Sequence, residues 1–142
     1  MAFKKIIVGV DFTPKSDRAV RAALNLAVAT HASVVLVHVV PSLAEIRAAT
    51  DPGEVAATIE KRLQEQASVL STNVGVTVDY GVVVGPDAAI ELIKYVKTWG
   101  GDLIVTGSEG RKGLDRILIG SVAAELVKDS PVPVLVVGPS VP

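Results

Sequence analysis

The chain has 142 residues, no cysteine, a formal net charge of −1, and only one Trp, two Tyr and two Phe. That is the size of one ordinary domain with one core, expected over residues 1–142, and it excludes disulfides, thiol catalysis and cysteine-ligated metals. Near-neutral charge without a Lys/Arg run, together with so few aromatics, leaves no footprint for nucleic acid and no polybasic membrane patch.

Val, Ile, Leu and Ala carry the hydrophobicity, which suits a sheet of Val/Ile strands covered by Ala/Leu helices. Residues 6–10 form a short apolar run that predicts a buried strand. Asp11 cuts that run off before it reaches the length of a signal peptide, and no stretch approaches the roughly 18 apolar residues of a membrane span. A cytoplasmic protein is expected. Thr13-Pro14 offers an N-cap and a first-turn proline for a helix to about Ala29. Val20, Ala23, Leu24 and Ala27 make its apolar stripe, with Lys15, Arg18 and Arg21 facing water.

Residues 34–40 are a second apolar strand, and residues 41–51 read as a loop. Asp51-Pro52 opens a helix whose Ile59, Leu63, Ala67 and Leu70 repeat at helical spacing to about Ser71. Residues 76–84 alternate apolar and polar, the mark of a strand less buried on one face, as at a sheet edge. A third helix is expected over residues 86–99, with Ala89, Leu92, Ile93 and Val96 inward and Gly100-Gly101 ending it. Residues 102–106 are the fourth strand, 107–113 a glycine-punctuated loop, and 114–119 a short helical turn. Gly120-Ser121 starts the last helix, and Pro131 and Pro133 introduce the last strand, Val134–Val137.

Strict strand–helix alternation predicts an open five-stranded parallel sheet with helices on both faces. If the first and fourth strands are central neighbours, the alternating third strand and the proline-led fifth lie at the edges, in the order 3-2-1-4-5. Ligands of such sheets bind beyond the carboxyl ends of the strands, where the winding reverses. There Val10-Asp11 and Thr106-Gly107 would meet.

Gly107-Ser108-Glu109-Gly110 is followed by nine residues and then Gly120-Ser121. Glycines let backbone N–H groups approach an anion, and a helix start favours negative charge. Arg111, Lys112 and Arg116 add positive charge nearby. Turn-shaping glycines and a phosphate cradle both fit these residues. The Gly-Lys-Ser/Thr tail of a Walker A loop is missing, and a dinucleotide fingerprint would follow the first strand instead.

The spacing Gly107-x-x-Gly110-(nine residues)-Gly120-Ser121 resembles the ATP-binding signature of the universal stress protein family. Residues 4–13, the strand end Val37-His38-Val39-Val40 and the closing segment 131–137 are similar to that family too. The resemblance implies a Rossmann-like, adenine nucleotide alpha-hydrolase-like fold. It also implies a regulatory stress-response module holding ATP, or AMP or ADP, with Mg²⁺. By position it sets Asp11 beside the adenosine, with Gly9 and Val10 before it, and Val39 in the wall of the adenine pocket; Gly107, Gly110, Gly120 and Ser121 match the phosphate-binding positions, with Thr106 before the first of them and Val122 after the last. ATP-holding members often carry a hydroxyl residue where this chain has Ala123, so one phosphate or metal contact fewer is implied.

Efficient catalysis is not expected, because neither a P-loop lysine nor a water-activating base beyond Asp11 or Glu109 is evident. A slow ATPase or autokinase, and a dimeric scaffold without nucleotide, are the alternatives. Neither His31 nor His38 has a partner at metal-ligand spacing, so both are expected to be structural. Ser108 sits in no nucleophile elbow. The apolar edge strand Val134–Val137 is expected to pair with its copy in a homodimer, as the family resemblance also implies, and the protein partner of such a module is not named by the residues.

Overall fold

The three central strands are apolar at successive positions because helices cover both of their faces. In the computed structural model, which describes residues 2–41, 52–108 and 119–142, the elements run β1 (Lys5–Gly9), α1 (Pro14–Thr30), β2 (Ser33–Val40), α2 (Pro52–Val74), β3 (Val78–Val84), α3 (Ala88–Trp99), β4 (Leu103–Gly107), α4 (Ser121–Asp129) and β5 (Val134–Val137). The five strands form one sheet in the order β3-β2-β1-β4-β5, all pairs parallel, as the alternation predicts.

Successive strand residues serve opposite cores. Ile6, Val8, Val34, Leu36, Leu103 and Val105 face α1 and α2, meeting Ala19, Ala23, Ala27 and Leu63. Ile7, Val35, Val37 and Ile104 face α3 and α4, meeting Ala89, Leu92, Val96 and Leu126. Alanines on the inner face of α1 let the helix lie close to the sheet. β1 is pinned at its head: the Lys4 and Lys5 N–H groups donate to Asp102 Oδ2 and Oδ1 at 2.8 and 3.0 Å. That carboxylate joins the starts of β1 and β4 and so holds the pair whose far ends make the cleft.

β3 and β5 lie at the two edges, as the patterning predicts. Val82, on the apolar side of the expected alternation, is nonetheless 36% exposed, beside Val84 at 43%, and Leu135 of β5 is 40% exposed, because an edge strand is covered less completely. Several boundaries differ from expectation for local reasons. α3 begins at Ala88, not 86, because the Asp87 side chain accepts from the Ile90 N–H at 3.1 Å and caps the helix there. α2 continues to Val74 and stops before Gly75, whose φ of 76° is left-handed. Of the loop expected at 41–51 and the turn expected at 114–119, residues 42–51 and 114–118 lie outside the described residues.

Candidate functional site

β1 and β4 pair side by side, but their connections leave in opposite directions: β1 is followed by α1 on one face, and β4 leads toward α4 on the other. A cleft opens between them at the carboxyl ends of the strands. Gly9 floors it, because a Cβ there would press on Leu92 Cδ1 at 3.2 Å. Val10 still bonds to β2, its N–H donating to the Val37 carbonyl at 2.8 Å. The chain then turns sharply. Phe12 has a φ of 61°, a left-handed conformation costing about 1–2 kcal/mol for a residue with a side chain.

That turn aims Asp11 into the cleft. The Thr13 N–H donates to Asp11 Oδ1 at 3.0 Å, the Thr13 hydroxyl donates to the same oxygen, and Lys15 Nζ lies 3.2 Å from Oδ2. Thr13 holds the N-cap position of α1, but its side chain serves Asp11 and makes no cap bond, unlike the sequence expectation. Ser16 Oγ links both ends of the turn: it accepts from the Asp11 N–H at 3.3 Å and donates to the Thr13 carbonyl at 3.2 Å. Burial, the largest influence, would raise the Asp11 carboxyl, but the Thr13 hydroxyl and N–H, with Lys15, together outweigh it. The group sits below its ordinary value of 3.8 and is ionised at neutral pH.

On the opposite lip, Thr106 is 6% exposed and Gly107 follows it at the end of β4. A Cβ on Gly107 would collide with the Lys15 carbonyl oxygen. Glycine is therefore required for the close approach of β4 to the first turn of α1. Ser108 is buried and its hydroxyl donates to the Val137 carbonyl at 3.3 Å, a structural role. α4 starts beside the same cleft. Gly120 occupies its N-cap, and the first intrahelical bond runs from the Ala124 N–H to the Gly120 carbonyl at 3.0 Å. The N–H groups of Ser121, Val122 and Ala123 precede that bond and have no acceptor within the helix. Leu126, fully buried against the sheet, anchors the helix in this position.

The structure brings Gly9, Val10, Asp11, Val39, Thr106, Gly107, Gly120, Ser121 and Val122 to this one cleft. Gly110, with Glu109, Arg111, Lys112 and Arg116, lies outside the described residues. Sequence reasoning missed Lys15 and Ser16, which line the cleft and were assigned to solvent or to no role. The i, i+4 spacing of Asp11 and Lys15 was the available signal. His38, expected to be structural, lies with its Nδ1 2.7 Å from the Val10 carbonyl oxygen, a partner that spacing does not show. Among the described residues no group of three or more His, Cys, Asp or Glu side chains is placed to hold a metal.

A family model described as "Universal stress protein family" matches residues 2–138. The chain belongs to the universal stress protein family. Universal stress protein A homolog 2 of Coxiella burnetii is 32% identical over 141 residues, covering 95% of this chain and 94% of that protein. Universal stress protein MJ0531 of Methanocaldococcus jannaschii is 30% identical over 140 residues, covering 95% and 82%. Among solved structures, that of the hypothetical protein MJ0577 is 28% identical with a TM-score of 0.74, over 97% of both chains. A universal stress protein crystallised in complex with cAMP is 26% identical with a TM-score of 0.67, over 96% and 98%.

In this universal stress protein Gly107 and Gly120 differ in kind, since an added Cβ at Gly120 meets nothing within 4 Å among the described residues. Gly107→Ala should destabilise the fold by more than about 2 kcal/mol in urea denaturation. Gly120→Ala should cost about 1 kcal/mol or less, the difference between glycine and alanine at an N-cap. Equal losses would contradict the close approach at Gly107. Because the folded Asp11 carboxyl lies below its unfolded value, its stabilising contribution is present at neutral pH and is lost as pH falls through the carboxylate range. The stability gap between native protein and Asp11→Asn should narrow below about pH 4. A gap independent of pH would show that the surrounding donors do not favour the ionised form.

Proposed function

We propose that this universal stress protein is a regulatory, stress-response module that binds an adenine nucleotide, with ATP as the principal ligand. The observation that carries the reading is the start of α4, where Gly120 at the N-cap brings no side-chain cap, beside the cleft that Asp11 and Val39 also line. Three backbone N–H groups and the positive end of a helix dipole suit phosphate oxygens, and the Ser121 hydroxyl adds a donor. Gly107, and Gly110 by the signature spacing, allow backbone to approach the same anion. Asp11, kept ionised, is an acceptor suited to ribose hydroxyls. Val10, Val37 and Val39 supply the apolar wall that a nucleobase needs.

The complex of a 26% identical universal stress protein with cAMP supports an adenine nucleotide as the ligand class. Among the described residues Asp11 is the one carboxylate that lines the cleft, so Mg²⁺ would arrive with the nucleotide's phosphates. Buried Ala123 offers a methyl group where a hydroxyl would have added one more contact. We assign the module to the cytoplasm and to a homodimer formed through β5. Leu135 on that strand, Val127 on α4 and Val141 beyond it are 40%, 59% and 44% exposed, leaving apolar surface beside an unpaired edge.

Calorimetric titration of nucleotide-stripped protein with ATP and Mg²⁺ should show saturable binding that weakens at least about tenfold in Gly120→Val, compared at matched urea midpoints. Absence of binding by the folded native chain would remove the nucleotide reading and leave the dimeric scaffold. Light scattering after size exclusion should give a dimer for the native protein and a monomer for Leu135→Lys. A native monomer, or a variant that remains dimeric, would place no interface at this edge.

A further inference from the structure

We propose that His38 is a positioning residue for the cleft, acting from the opposite face of the sheet to set where the Asp11 carboxylate lies. This inference rests on the nucleotide reading above. His38 stands between Val37 and Val39, whose side chains line the cleft. Strand alternation therefore puts its ring on the other face, toward α1 and α2. From there its Nδ1 reaches back over the end of β1 to the Val10 carbonyl oxygen at 2.7 Å. A carbonyl only accepts, so Nδ1 carries the hydrogen and, in the neutral ring, Nε2 does not.

The same ring packs on Phe12, with centroids 4.9 Å apart, and the Arg62 guanidinium covers the Phe12 ring at 4.2 Å. Phe12 is the residue held at a φ of 61°. A bulky residue persists in that region where its surroundings over-determine it. His38 thus grips the residues on both sides of Asp11: one by its backbone oxygen, the other by its ring. The carboxylate between them is left to project to the cleft side, where Thr13 and Lys15 meet it. His38 is not among the cleft-lining residues and acts only through this turn.

The geometry is tested in two independent ways. Nitrogen-15 NMR of the native protein at neutral pH should show the Nδ1–H tautomer of His38, whether or not nucleotide binds; an Nε2–H tautomer would overturn the proposal. In calorimetric titration with ATP and Mg²⁺, His38→Leu, which removes the donor, should bind about tenfold more weakly than native, the effect of one lost hydrogen bond. His38→Asn, whose amide N–H can take the place of Nδ1–H, should stay within about threefold of native. Native-like binding by the Leu variant, or equal loss in both variants at matched urea midpoints, would overturn the positioning role. If native protein binds no ATP, the nucleotide reading fails separately. The grip is then read from the Asp11 and Thr13 amide resonances, which should move further in His38→Leu than in His38→Asn, since both lose the ring and only the Leu variant also loses the donor; equal shifts in the two variants would overturn it.

Discussion

The pairing of β1 with β4 is the constraint on which the rest of the molecule depends. Both strands are buried on both faces, so their residues leave no room for a polar group until the strands end. The chain must then leave β1 toward one helical layer and β4 toward the other. Two connections that part in this way cannot fill the space between them. The cleft is a consequence of parallel winding, and its position is decided by which strands lie at the point of reversal.

What occupies the rim of the cleft follows from how each backbone leaves its strand. β4 passes the first turn of α1 so closely that only glycine fits at position 107. β1 instead makes a left-handed turn at Phe12, and the cost of that conformation is offset by packing against His38 and Arg62 and by hydrogen bonds through Ser16. The two lips are joined, since the Lys15 carbonyl abuts Gly107 while the Lys15 side chain meets Asp11. A carboxylate held ionised, a cation beside it and an open helix start then share one small volume. That arrangement suits a ligand carrying both hydroxyl groups and negative charge. No second carboxylate or histidine is placed with Asp11 for acid–base work among the described residues lining the cleft.

Much of this was legible in the linear sequence. Continuous apolar runs at residues 6–10 and 34–40, the alternation at 76–84 and the regular strand–helix order were enough for the fold class and strand order, because hydrophobic periodicity reports burial directly. The glycine spacing that ends in Gly120-Ser121, with Asp11 after the first strand, pointed to this cleft through its resemblance to the universal stress protein family, but not to Lys15 or Ser16 on its lining. Gly110 alone of the matched positions lies outside the described residues.

Tertiary structure decided the rest. No periodicity assigns the Thr13 hydroxyl to Asp11 in preference to a helix cap, brings Lys15 into the cleft instead of solvent, or lays the His38 ring over the end of a different strand. His38 and Val10 are 28 residues apart, and their bond exists only because β2 extends past the end of β1 in the parallel register. The sequence by itself determined which faces are apolar, where elements start and stop, and which family the glycines resemble, since these depend on local spacing and composition. Side-chain direction across the cleft depends on strand register and on the close approach of α1 to β4, and those distances exist only once the two cores have packed.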